Sequence, residues 1–327
     1  MRSRALRVLL SSDEPSVRWK ARVRVLGEDP GSLAIRRLQG QVRRSERVRL
    51  LLSGHQETRP SVYAKWVGAH WVLAALADLG YPAGDPDLAP LRDEVLGAWL
   101  HPRYFREHPS ARQRDQAVPV LQGRARRCAS QQGSALLSIV RLGLDDGRGA
   151  QLVERLVHWQ WPDGGWNCDV RPNAASSSVH ETLLPLRGLA AYARSHDDAS
   201  ARDAAARAAD VLLCRRLVFG RSDGRLIDRN WARLHYPPYW HYDVLAGLKG
   251  LGEAGLVGDP RCETALDLLQ GMELPEGGWP AHDRYYATDA SARYHRDHVD
   301  WGGSGTRRVN EWVTADVLAV LAAAGRL

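Results

Sequence analysis

The chain has 327 residues, of which 44% are hydrophobic and 25% charged, and it carries a formal charge of +7. That balance excludes a disordered chain, a collagen and a small disulfide scaffold, and the length suits one large core built from repeats. The basic excess sits in Arg36-Arg37, Arg43-Arg44, Arg124 to Arg127 and Arg307-Arg308; no aromatic residues interleave these groups, so they read as solvated helix faces and no nucleic-acid partner is expected.

Residues 1–58 open with Asp13-Glu14-Pro15-Ser16-Val17-Arg18-Trp19, a helix-entry signal, followed by short Arg-rich helices. They are expected to form an N-terminal helical cap belonging to the same domain as residues 59–327. From there two kinds of helix alternate. Asp87–Leu100, Ala150–Trp159, Ala201–Leu217 and Arg261–Leu269 are charged on one face. Tyr63–Leu79, Gln131–Leu142, Val179–Ala193, His241–Leu251 and Glu311–Ala324 are apolar nearly all round. A helix apolar on every side must be surrounded by protein, so the alternation predicts two layers, outer helices shielding inner ones. The expected fold is all-α, a single α/α toroid closed from helix pairs.

The loops between the pairs repeat. Trp159-Gln160-Trp161-Pro162-Asp163-Gly164-Gly165-Trp166 precedes the inner helix at 179, and Gln270 to Pro275-Glu276-Gly277-Gly278-Trp279 precedes the last one. A weaker copy runs from Leu212 to Ser222-Asp223-Gly224. The acidic-Gly pairs stand 60 and 53 residues apart. Glycine supplies turn angles that other residues avoid, and the flanking Trp residues would cover the end of the outer helix and pin the loop.

These loops resemble the QW repeat of squalene-hopene and oxidosqualene cyclases, and protein prenyltransferase β subunits are similar. The resemblance is strong over 150–195 and 261–327, weaker over 60–149 and absent over 1–55. It implies the α/α toroid and, as an activity, chemistry on an isoprenoid or related hydrophobic substrate or lipid held in a central cavity. The Asp-x-Asp-Asp acid motif of the cyclases is missing; the corresponding segment reads Val179-His180-Glu181-Thr182. The Asp-x-Cys zinc ligands of the prenyltransferases are missing too, and Cys168-Asp169 are adjacent in a loop. The sequence names no cofactor outright; mixed His, Asp and Cys ligands would suit zinc or another divalent metal.

Polar residues in the first turns of apolar helices cost free energy unless paired, which makes them site candidates. Glu181, His180, Asp243 and His241 are the expected catalytic residues. Trp66, His70, Gln132, His235, Tyr236, Tyr239, Trp240, Glu311, Trp312 and Asp316 are the expected substrate contacts. Two other readings stand beside the isoprenoid one: a non-catalytic toroid that binds a hydrophobic ligand or a protein partner, and a polysaccharide-active toroid enzyme. The segment His295 to Gly303 reads as a rim loop. Cys128, Cys168, Cys214 and Cys262 are far apart without a Cys-x-x-Cys pair, as in a reduced, cytoplasmic protein. No run is long enough for a signal peptide or a transmembrane segment, which leaves peripheral membrane contact open.

Overall fold

The computed structural model describes residues 4–104, 128–169, 171, 174–220, 224–289 and 295–327. Arg124 to Arg127 and the Ser222-Asp223 part of the weaker repeat lie outside them. The described α-helices are α1 (Arg4–Leu10), α2 (Pro15–Trp19, continued by a π-helical segment Lys20–Val25), α3 (Leu33–Arg43), α4 (Glu46–Thr58), α5 (Ala69–Leu79), α6 (Ala89–Trp99), α7 (Ala129–Arg141), α8 (Gly149–Trp159), α9 (Val179–His196), α10 (Ala199–Leu213), α11 (Val244–Glu253), α12 (Glu263–Gln270) and α13 (Glu311–Ala323). Only isolated β-bridges accompany them among the described residues. Ser32, Ser45, Asp198, Asp243 and Asn310 each accept a backbone N–H at a helix start, which satisfies donors that have no partner inside the helix.

The inner layer closes on itself. α5 packs on α7, α7 on α9, α9 on α11 and α11 on α13, and the segment Pro15–Val25 packs between α13 and α5. Outside this ring α1 lies against α13 and α2, α3 against α2, α4 and α6 against α5, α8 against α7, α10 against α9 and α12 against α11. The protein is therefore an all-α, α/α toroid. One expectation is corrected: residues 15–25 are not a cap over the ring but a member of its inner layer. Val17, Lys20 and Ala21 are fully buried there, because a ring left open between α5 and α13 would expose both apolar flanks to water.

α7 and α9 make the closest crossing. A side chain on Gly133 would meet the backbone of Pro185, and one on Gly188 would meet the Gly133 carbonyl oxygen, both under 3 Å. These two positions hold glycine because the helix backbones touch.

The repeated loops act as staples. The Trp166 indole N–H donates to the Leu156 carbonyl in the last turn of α8 (3.0 Å), and that of Trp279 donates to Leu269 in α12 (2.8 Å). The backbone N–H of each Trp donates to a threonine on the following inner helix, Thr182 at 3.2 Å and Thr314 at 2.9 Å. Gly164, Gly277 and Gly278 take positive φ in the two turns. Each staple ties one outer helix end to one inner helix start, and so fixes the rim.

Two expected helix starts shift. Tyr63, Lys65 and Trp66 lie in the turns before α5, which begins at Ala69 after a tight approach of Gly68 to the Val62 carbonyl. His241 lies before α11, which Asp243 caps after the Pro237-Pro238 segment; proline disfavours helix in the residue before it.

Candidate functional site at the rim of the inner helices

The sequence candidates fall into two groups that lie at different depths. At the rim, the segment Tyr236–Asp243 folds over the starts of the inner helices and meets the turn around Trp66. Trp66 stacks on Tyr239 (3.7 Å between ring centroids, 7° between planes) and donates its indole N–H to the Tyr285 carbonyl (2.7 Å). His241 is sandwiched, with Trp240 on one face at 4.2 Å and Tyr285 on the other at 3.6 Å. His180 approaches Trp231, Trp240 and Tyr242. Lys65 places its ammonium 4.7 Å above the Trp240 ring, an attraction between cation and π-face. Trp240 Nε1 and His241 Nδ1 are buried without a hydrogen-bond partner among the described residues. A group that bonded both would recover their desolvation cost.

Beneath this stack His235 Nδ1 lies 2.9 Å from Asp243 Oδ2, both nearly inaccessible. Asp243 is thus the partner of His235 rather than of His241, and its other oxygen caps α11 through the Ala246 N–H (2.7 Å). Burial pulls the His235 pKa down, but the Asp243 carboxylate more than offsets it and the net shift is upward. His241 goes the other way, to about 3, through burial and then the nearby His235, Lys65, His180 and His295. Two histidines with ring centroids 5.8 Å apart are therefore shifted in opposite directions. The rim loop is anchored by Asp297, which accepts from the Tyr239 hydroxyl and from the Trp301 indole at 2.8 Å.

Glu181, in the first turn of α9, accepts the Ser130 N–H (3.0 Å) and the Cys168 thiol (3.2 Å); burial raises its pKa. Gln132 donates to the Trp99 carbonyl (3.4 Å). His70 is buried among Tyr63, Trp71 and Trp99 and accepts the Trp99 indole N–H (3.1 Å). Burial depresses its pKa to about 3, so it is a neutral acceptor inside the wall.

The remaining candidates sit on the axis or behind it. Tyr236 stacks on Trp312 (5.1 Å) and donates its hydroxyl to Asp78 (2.9 Å). Asp316 binds Lys20 at 2.9 Å and Lys249 at 2.6 Å, while Asp78 pairs with the same two lysines and with Arg24. Glu253 is held by Arg141 at 2.7 Å and Arg187 at 2.6 Å. Five cations thus face three carboxylates where the inner helices meet. Glu311 accepts from Ser12 (2.8 Å) and ties α13 to the N-terminal segment. Asp78, Lys249, Glu253, Arg141, Arg187, Lys20 and Arg24 were not among the sequence candidates. Their signal was a charge placed inside an otherwise apolar helix.

Two hollows are lined by the inner helices among the described residues, the more open one, about 270 Å³, by Arg24, Arg141, Lys249, Glu253 and Asp316. A cavity of about 60 Å³ is bounded by Trp71, Asp78, Ser138, Arg187, Tyr239 and Trp301. A larger groove, about 1240 Å³, runs over the outer surface between α4 and α6 and holds none of the candidate residues.

No family model matches the chain, and no curated protein matches it significantly. Among solved structures, the chain is similar to the unsaturated glucuronyl hydrolase from Bacillus sp. GL1, described as responsible for the degradation of glycosaminoglycan, with 14% identity and a TM-score of 0.46. It is similar also to a structure described as UGL with dGlcA-Glc-Rha-Glc, with 14% identity and a TM-score of 0.45. Each match covers 94% of this chain and 84% of the other. Among the described residues no helix is long and apolar enough to cross a membrane.

Proposed function

We propose that this toroid acts on a polysaccharide, gripping an acidic sugar chain at the rim through Trp240, His241, Tyr285 and Lys65. The observation that carries this reading is the filled interior. A cavity of about 60 Å³ is far below the roughly 300–1,000 Å³ that small-molecule sites occupy, and the wider hollow of about 270 Å³ is lined by the charges of the axis, so the described interior offers no apolar chamber for an isoprenoid chain. The axis beneath it carries more cations than carboxylates, a field that opposes the carbocations of terpenoid cyclisation. The rim instead offers the partly exposed rings of Trp240, His241 and Tyr285 and the Lys65 ammonium, which suit a ligand that is ring-shaped and anionic.

Calorimetric titration of the full chain with polygalacturonate, a neutral glucan and farnesyl diphosphate tests the reading, alongside an assay for new reducing ends. Polygalacturonate is expected to bind, and Trp240→Ala to weaken it about thirtyfold, as loss of a central aromatic anchor does. Binding of farnesyl diphosphate with no response to either glycan would overturn the proposal in favour of the isoprenoid reading.

A further inference from the structure

Two cysteines that stand 40 residues apart in the sequence meet beside Glu181. Cys128 immediately precedes α7, Cys168 follows the first repeated loop, and Glu181 opens α9. One ligand atom from each lies within 4.8 Å of the other two, and Cys168 Sγ is 3.2 Å from Glu181 Oε1. We propose that Cys128, Cys168 and Glu181 form a divalent-metal site best suited to zinc, with no fourth ligand among the described residues.

Ligand type and geometry both support this. Around a tetrahedral zinc with Zn–S near 2.3 Å and Zn–O near 2.1 Å, the ligand atoms stand about 3.6–3.8 Å apart. The observed triangle needs shifts below about 1 Å to reach that, within the swing of a cysteine side chain. Two thiolates select against magnesium and calcium, which take oxygen ligands. Glu181 is already oriented: the Ser130 backbone N–H holds its second oxygen at 3.0 Å, the kind of outer bond that fixes a metal-binding carboxylate. The site stands apart from the sugar-chain reading, since neither its ligands nor its test involves the aromatic stack.

The test uses metal alone. The full chain, purified under reducing conditions, is expected to hold about one equivalent of zinc by elemental analysis and to show a thiolate-to-cobalt charge-transfer band when reconstituted with Co²⁺. Cys128→Ser and Cys168→Ser should each weaken Zn²⁺ binding at least a hundredfold, beyond the 10- to 100-fold that loss of an outer-shell partner costs. Cys214→Ser, at an exposed thiol, should leave it unchanged. Should either cysteine variant fail to fold by circular dichroism, Glu181→Gln carries the comparison and should weaken binding at least tenfold. A folded wild-type chain with no zinc and no cobalt band would overturn the proposal. So would a cobalt band that survives in these folded variants, or a Cys128–Cys168 disulfide that persists after reduction and zinc supply.

Discussion

Asp316 is the carboxylate on which the charge balance of the axis turns. Its carboxylate is 4% accessible and contacts Lys20, which is fully buried, and Lys249, which is 9% accessible. Asp316→Asn keeps the shape and removes the charge, leaving Asp78 to neutralise both lysines and Arg24. Breaking one partner out of a buried ion pair costs about 3–5 kcal/mol, because the charge left behind has no compensation. Lys20→Met removes a cation from the side that is in excess, and its hydrophobic replacement packs against Tyr236 and Trp312, over whose rings the ammonium now lies at 5.0 and 5.8 Å. Burial already pushes the Lys20 pKa down to about 8, despite Asp316 and Asp78, which marks how poorly this site tolerates a further positive charge. Lys20→Met should therefore cost clearly less than Asp316→Asn, by at least about 1 kcal/mol, and the double variant should fall short of the sum by about 0.5–3 kcal/mol. Urea unfolding followed by circular dichroism measures all three. If Asp316→Asn costs under about 1 kcal/mol, or Lys20→Met is the worse of the two, the axis is not limited by its carboxylates.

The same network sets an acid limit. The cations around Asp78 and Glu253 outweigh burial and hold both carboxyl groups well below their ordinary values of 3.8 and 4.5. A depressed folded pKa gives stability that is fully present above the unfolded value and lost as pH falls through the folded one. Thermal unfolding should thus be nearly flat from this source above pH 5 and drop steeply below pH 4; a midpoint unchanged at pH 3 would contradict it. For the staples, Trp279→Phe keeps an aromatic side chain and removes the indole donor to Leu269, whose carbonyl still accepts the Met272 N–H, so the lost bond should cost about 0.5–1.5 kcal/mol. Trp166→Phe should cost a similar amount by denaturant midpoint, and a neutral result at both positions would show that the loops are not fastened this way.

The layering was legible because it rests on a one-dimensional signal. Alternation of one-faced and all-round apolar helices requires an inside and an outside whatever the details, and the Trp-bracketed glycine turns mark where one passes to the other. The first inner member was not legible. The segment Pro15–Val25 carries Arg18, Lys20, Arg22 and Arg24, and reads as a surface helix until its lysine and Arg24 are seen paired with Asp78 on α5 and Asp316 on α13. Those pairings span up to 296 residues, and no local pattern encodes them. The rim was half legible. Helix-start polarity led to His180, Glu181, His241 and Asp243, but the same physics that favours polar groups there also makes Asp243 a cap. The pairing of Asp243 with His235, eight residues upstream, depends on how Pro237-Pro238 turn the chain. Cys128 and Cys168 read as unrelated in the sequence because their meeting depends on how α7 and α9 cross, at glycines whose role is visible only in three dimensions.

The two ends of the ring divide the work that the sequence resemblance assigned to one cavity. A cyclase-like interior needs a wide apolar chamber and a wall of π-faces around it. Here the aromatic residues are present, but Tyr236, Trp312 and Trp301 are consumed in packing against each other and against Lys20. The chamber they would line is occupied by ion pairs from Pro15–Val25 and all the other inner helices. Such a plug holds six helix positions in register through charges that have no good alternative partners, at the expense of an internal site. The proposed sugar site then lies at the rim, where the staples hold inner-helix starts and the Tyr236–Asp243 segment brings Trp240 and His241 together. Aromatic content alone therefore does not distinguish a terpenoid enzyme from this architecture; the charges threaded through the inner helices do.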